Sequence, residues 1–225
     1  MTRVYTFKAS PYSSHSLVLA AFPREGHGRT ILDVGCGNGY LGASLAERGF
    51  AVTGIERPDG YSKPFPASVR LIEADLEHGL PDLGGGFDYV LCADILEHLR
   101  DPGRMLRRLH HVVKPGGTLI ASLPNSGNVY FRLNILAGRF PQDDKGLFDR
   151  THVRFYMWRG WVDLLNSNGW SVSAIESSAI PVGLVMPPQW EHSGPVRLAE
   201  RVCYGLAKIW KTLFAYQFVV TAHVR

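Results

Sequence analysis

This sequence predicts an α/β fold built on a mostly parallel sheet, and three observations carry the prediction. Short apolar runs alternate with helix-period segments, the signature of strand–crossover–strand units. A glycine-rich turn, GCGNG at 35–39, follows one apolar run directly and opens a helical pattern. The 225 residues, 45% hydrophobic and 20% charged, fit one large domain with a sizeable core better than two independent ones.

Residues 1–29 read as a polar approach with one short apolar helix around Leu17–Phe22, stopped by Pro23. Strands are expected at Thr30–Val34, Ala51–Ile55, Val69–Ile72, Tyr89–Ala93 and Thr118–Leu123. A helix at Tyr40–Arg48 places Leu41 and Leu45 on one face and ends at Gly49, a C′ glycine. A second, Pro102–Val113, has Met105, Leu106 and Leu109 at core spacing. Its basic row of Arg104, Arg107, Arg108 and His111 reads as a solvated face before it reads as an anion grip. The turn Lys114-Pro115-Gly116-Gly117 separates that helix from the next strand.

Beyond Leu123 the alternation weakens. A helical patch with Tyr130 and Phe131 precedes the polar loop QDDKG; a helix at Met157–Asn166 and a strand at Trp170–Ile175 follow. Residues 178–194 are rich in Pro, Gly and Ser, 196–213 are amphipathic, and Phe214–Val224 reads as a closing strand. The expected organisation is one domain, 1–225, with 126–160 and 178–213 inserted as caps over a substrate. The apolar face of 196–213 (Val196, Val202, Leu206, Ile209, Trp210) reads as core packing or a lid in preference to a membrane-surface helix.

Composition excludes several classes. The net charge is +4, with 24 basic and 20 acidic residues interspersed, which is not the clustered footprint of a nucleic-acid binder. Three widely separated cysteines, Cys36, Cys92 and Cys203, suggest neither a disulfide framework nor a zinc site. The N-terminal stretch lacks the apolar core of a secretory signal, and no run has the ~18 apolar residues of a membrane span. A cytoplasmic location is the expectation.

The strongest motif is ILDVGCGNG, 31–39. Glycines at a strand-to-helix turn let a ligand lie against bare backbone, beside the unpaired N–H groups of the helix start. Asp33 stands two residues before Gly35, and the third glycine falls at Gly39, giving GxGxG; a dinucleotide fingerprint needs it at position 40, which is Tyr40. An acid here repels a pyrophosphate and suits a cation. Glu56, ending the second strand, can accept both hydroxyls of a ribose, and Asp75, after the third, can accept from an adenine amine.

Asp33 through Gly39, Glu56, Asp75 and FDYVLCADILEHLRDP (87–102) resemble the ordered motifs of class I S-adenosylmethionine-dependent methyltransferases, in style the ubiquinone-type O-methyltransferases. The likeness spans about residues 30–125. It implies a Rossmann-like three-layer sandwich with a seven-stranded, mostly parallel sheet and an antiparallel last strand, S-adenosylmethionine as cofactor and S-adenosylhomocysteine as its product. It further implies that Asp33, Gly35, Cys36, Gly37, Asn38 and Gly39 surround the methionine moiety. Glu56 and Arg57 stand at the ribose, Ala74, Asp75 and Leu76 at the adenine, and Ala93, Asp94 and Ile95 form the floor near the sulfonium. Tyr12, in an N-terminal arm that often folds over the cofactor in this class, completes the set.

Methyl transfer needs an aligned nucleophile and, for a hydroxyl, a route for its proton. His98 is the first candidate base. Asp94, Glu97 and His98 fall at i, i+3 and i+4, which on a helix places them on one side. In many relatives this stretch only lines the cofactor pocket, whereas in a few such a run binds a divalent ion; no metal is expected here. The segment DRTHVRFY, 149–156, is the second candidate, with His152 as base or positioning group and Arg154 as anion clamp. It resembles a recurring segment of bacterial methyltransferase-domain proteins, some associated with surface glycans. The alternative is structural: Thr151 as a helix N-cap and an Asp149–Arg154 ion pair holding the loop. The expected function is O-methylation of a small molecule, with N-methylation, a non-catalytic cofactor-fold partner protein and an NAD-dependent oxidoreductase as alternatives. No nucleic-acid partner and no membrane span are expected; an oligomer is allowed.

Overall fold

The structure is a computed structural model that describes residues 10–190 and 193–225; expectations for 1–9 and 191–192 lie outside them. In chain order the elements are α1 (Ser14–Ala21), β1 (Thr30–Val34), α2 (Tyr40–Ala46), β2 (Ala51–Glu56), β3 (Val69–Glu73), β4 (Phe87–Ala93), α3 (Pro102–Val112), β5 (Val113–Pro124), α4 (Val129–Leu136), α5 (Trp158–Ser167), β6 (Trp170–Ser177), α6 (Gly194–Ile209), α7 (Lys211–Phe214) and β7 (Gln217–Val224). The strands form one sheet in the order β3-β2-β1-β4-β5-β7-β6. The first five pair in parallel, and β7 runs antiparallel to both neighbours. This is the seven-stranded, mostly parallel α/β sandwich the resemblance implies.

Helices cover both faces, so the central strands are buried on both sides and read as near-continuous apolar runs. Ile31 and Leu91 meet Val18 of α1 and Leu41 and Leu45 of α2. On the opposite face Leu32, Val34 and Val90 meet Leu106 and Leu109 of α3 and Trp161 and Leu165 of α5. Two indoles fully buried in this second layer find acceptors, as buried polar groups must. Trp161 Nε1 donates to the Pro124 carbonyl at 2.8 Å and Trp170 Nε1 to the Leu106 carbonyl at 3.0 Å.

No helix forms in either crossover between β2 and β4; residues 57–68 and 74–86 are irregular, in keeping with their prolines and glycines. Two departures from the sequence reading lie in the late chain. The closing strand starts at Gln217, because Lys211–Phe214 coils into α7 first. Most of the apolar face expected to pack inward along 196–213 is exposed instead: Val196 is buried, while Val202, Leu206, Ile209 and Trp210 are not. The basic row of α3 ties down neighbouring turns: Arg107 donates to Asn168 and Arg108 to the His78 carbonyl.

The segments after β5 and between β6 and β7 meet above the carboxyl ends of the parallel strands. Asn125 and Asn128 join them. Both side-chain amides donate to the Ala215 carbonyl at 2.8 Å, and Asn128 also caps α4 by accepting from Tyr130 N at 2.9 Å. The N-terminal arm joins the same assembly, with Tyr12 stacked on Tyr204 of α6 at 4.7 Å and its carbonyl accepting from Ala179 N at 3.0 Å.

Candidate functional site

The glycine turn closes on the second strand. Gly35 N and Cys36 N donate to the Ile55 carbonyl at 2.9 and 3.0 Å. Gly35 has φ +72°, and a Cβ there would stand 2.6 Å from Ile95 Cγ1, so only glycine lets the residue after Asp94 pack onto the turn. Gly37, at φ +54°, has nothing within 4 Å of where its Cβ would be: bare backbone faces open space. Glu56 secures this turn from the side, its carboxylate accepting from Gly37 N at 2.8 Å and Arg57 N at 2.9 Å. Asn38 Oδ1 accepts from Ser62 N at 2.7 Å, and Phe65 packs against Gly39, so the 57–66 loop walls the turn where a crossover helix is missing. Arg57 pairs with Asp59 at 3.3 Å.

Asp33 lies beneath this turn, 2% exposed and beside Gly42 of α2. Burial first, and the nearby Glu56 carboxylate second, push its pKa up to about 7. The expected anionic partner therefore titrates close to neutrality, where a cation in the crevice favours its charged form. Burial and the same two acids also push the Cys36 thiol up, so it stays protonated. At the end of β3, Ala74 N donates to the Glu56 carbonyl at 3.0 Å; Asp75 closes the next turn by accepting from Glu77 N at 2.9 Å, and Leu76 is buried against the core.

The expected one-sided cluster of Asp94, Glu97 and His98 does not form. Asp94 sits at φ +53°, off any helix, and its carboxylate turns to Ser122 of β5 and to Gln217 Nε2 of β7, the latter at 2.7 Å. Only Leu96–His98 make a single tight turn. The group that joins Glu97 and His98 is His152. The Glu97 carbonyl accepts from Val153 N and Arg154 N at 3.0 and 3.1 Å, drawing the 149–154 segment across the end of β4. The two imidazoles then meet edge to face at 4.8 Å, with His152 Nε2 3.9 Å from Glu97 Oε1. Asp149, also buried, organises the segment: its Oδ1 accepts from Thr151 N at 2.8 Å and Thr151 Oγ1 at 2.6 Å.

That arrangement fixes the tautomer of His98. Its Nδ1 stands 3.2 Å from the Thr151 carbonyl and 3.1 Å from Thr151 Oγ1, whose own proton is given to Asp149. Both neighbours act as acceptors, so Nδ1 carries the hydrogen and Nε2 the lone pair. His152 behaves differently. Burial, then the neighbouring His98, push its pKa down to about 4 against the opposing pull of Asp149, Asp94 and the Leu147 carbonyl, so it is neutral at physiological pH. Its ring is 7% exposed, and Nδ1 meets no partner at hydrogen-bonding geometry.

The remaining DRTH expectations resolve differently. Arg154 turns its guanidinium to the Arg100 carbonyl, to which Nε and Nη2 both donate. Thr151 is not a helix N-cap, because α5 begins only at Trp158. Three site residues escaped the sequence reading: Ser122 and Gln217, which hold Asp94, and Tyr216, whose phenol burial pushes up to about 12. A glutamine opening the apolar run Phe218–Val220 of the last strand was the available signal.

With this geometry in view, the comparisons with known proteins take their place. A family model described as a methyltransferase domain matches residues 8–175. The chain belongs to that family. It is an S-adenosylmethionine-dependent methyltransferase domain. Ubiquinone biosynthesis O-methyltransferase from Pseudomonas paraeruginosa is 36% identical over 105 residues, 44% of this chain and 45% of that protein. The Caulobacter sp. protein of the same name is 36% identical over 122 residues, 48% of each. The chain thus spans about half the length of the curated relatives it matches. Among solved structures, a SAM-dependent methyltransferase from Archaeoglobus fulgidus aligns at TM-score 0.59 with 20% identity, covering 93% of this chain and 94% of that one. One from Aquifex aeolicus aligns at 0.60 with 17% identity, over 95% and 91%. At these identities the structures show the shared fold.

The crevice suits S-adenosylmethionine on its own terms. The open backbone at Gly37 leaves space that any side chain there would occupy, Glu56 is already held in one orientation at the end of β2, and Asp33 supplies negative potential from below. Among the described residues no helix is long and apolar enough to cross a membrane.

Proposed function

We propose that this protein transfers a methyl group from S-adenosylmethionine to a hydroxyl of a small-molecule acceptor. The observation that carries the reading is the Asp149–Thr151–His98 chain of hydrogen bonds, which leaves His98 Nε2 as an oriented proton acceptor at the carboxyl end of β4. When bound, the cofactor supplies an electrophilic methyl carbon that an aligned oxygen can take in a single in-line displacement. The chain's own residues must then seat the acceptor, exclude water and handle one proton. His152, neutral beside His98, positions that ring; Arg154 holds the segment through Arg100.

On this reading the cofactor is bound by the turn from Asp33 to Gly39 with Glu56, Arg57, Ala74, Asp75 and Leu76, and floored by Ala93, Asp94 and Ile95. Tyr12 belongs to the cap instead, through its stacking on Tyr204. Residues 126–160 and 178–213 wall the acceptor. Phe131, Phe140, Phe148 and Phe155 make an aromatic cluster beside His152, which favours an acceptor with an apolar or aromatic body. The test is a labelled-methyl screen over phenols, hydroxy acids and sugars. Transfer to a hydroxyl is expected, reduced about 10²–10⁴-fold in His98→Ala. Transfer confined to amines, or an undiminished rate in that variant, removes the reading.

A further inference from the structure

We propose that Glu97, His98 and His152 form a binding site for one divalent transition-metal cation. The inference rests on the O-methylation reading for its purpose: a bound cation would hold the acceptor's oxygen and lower the hydroxyl's pKa, so that His98 Nε2, the proton acceptor of the metal-free site, would serve as a ligand instead.

One carboxylate oxygen and one nitrogen from each imidazole lie within 4.8 Å of one another, brought together from two distant stretches of chain. Donors about 2.1 Å from a shared ion stand roughly 3.0–3.4 Å apart. The longest separation therefore has to close by roughly 1.4–1.8 Å, a small side-chain adjustment shared among the three. Two imidazoles and one carboxylate on one side of an ion leave positions open on the other, the donor set that selects transition metals over magnesium or calcium.

His98 is in the state a ligand requires. Hydrogen bonding at Nδ1 leaves His98 Nε2 with its lone pair, and the Thr151 carbonyl supplies the outer support that ligating imidazoles regularly have. The His152 side chain is more than nine-tenths buried, stands 3.9 Å from Glu97 Oε1 through Nε2, and has an Nδ1 that no partner meets at hydrogen-bonding geometry. Asp94, the acid that sequence spacing offers as third ligand, is committed to Ser122 and Gln217.

The test uses the full chain, stripped with a chelator and titrated with Co(II), followed by its visible ligand-field absorption and by calorimetry. The expected result is one equivalent per chain, with affinity at least about tenfold weaker in each of His98→Ala, His152→Ala and the near-isosteric Glu97→Gln. His110→Ala/His111→Ala, which alters the other histidine pair, should leave binding unchanged. Circular dichroism and S-adenosylmethionine binding verify that each variant is folded. Absence of stoichiometric cobalt binding in the wild type, or its retention in His98→Ala and Glu97→Gln, overturns the site. Hydroxyl methylation that persists undiminished after exhaustive chelation also overturns it, and leaves O-methylation standing. Cobalt bound as expected, with no hydroxyl in the panel methylated, supports the site and removes O-methylation instead.

Discussion

Asp33→Asn separates what the glycine turn contributes to binding from what it costs the fold. The buried carboxyl has its pKa raised from 3.8 to about 7, by burial first and by Glu56 second. The unfolded chain releases this proton near pH 4 and the folded chain only near pH 7, so between those values the native state binds more protons. Stability must therefore fall as pH rises across that window. A displacement of about three units at ~1.4 kcal/mol each sets an upper limit of about 4 kcal/mol at pH 8. Asparagine carries no such penalty. Chemical denaturation of the cofactor-free protein at pH 5 and pH 8 should show the variant gaining on the wild type by about 2–3 kcal/mol between the two conditions, since the first of the three units is already lost by pH 5. Over the same pair of proteins, calorimetry at pH 8 should show S-adenosylmethionine affinity reduced at least about tenfold in the variant, because the cation loses its counter-charge. A stability gap that stays constant from pH 5 to pH 8 would refute the burial argument.

Three further outcomes follow from the site. Glu56→Gln should weaken S-adenosylmethionine about 10–100-fold by calorimetry, since an amide can satisfy the Gly37 and Arg57 N–H groups only in part while also meeting the ribose; unchanged affinity contradicts the assignment. Gly35→Ala should lose on the order of 1–3 kcal/mol in denaturant titration, because its Cβ meets Ile95 in a left-handed backbone; a loss under about 0.5 kcal/mol speaks against that close contact. The His152 imidazole should titrate near pH 4 by nuclear magnetic resonance, and its burial should cost stability progressively as pH falls from about 6.5, where the unfolded chain takes up the proton, toward 4. A midpoint close to 6.5 shows that the ring is solvated.

The first four strands were legible to within one or two residues: β1 and β4, central in the sheet, leave mostly apolar runs, and the outer β2 and β3 are short apolar stretches bounded by turn residues. The glycine turn with Asp33 and Glu56 was legible because its chemistry is local. What the sequence hid depends on approach between distant segments. His98 and His152 were each visible as candidates, yet their meeting depends on the Glu97 carbonyl holding Val153 and Arg154, a backbone contact without a side-chain signature. The spacing Asp94-x-x-Glu97-His98 misled because it presupposes a helix, whereas Asp94 adopts a left-handed backbone that turns its carboxylate toward β5 and β7. Helical periodicity in 196–213 correctly reported α6 but could not report which side of it meets the sheet.

The paired asparagines at 125 and 128 have a mechanical consequence. Their amide protons reach the carbonyls of 211–215 immediately before Gln217, and Gln217 in turn grips Asp94. Lifting the helical insert away from β5 means surrendering several of these bonds together, each worth about 1 kcal/mol. Displacement of the late chain is thereby transmitted to the floor of the cofactor crevice. The insert and the crevice behave as parts of one lever, so substitutions on α7, far from either imidazole, should be felt where the methyl donor sits.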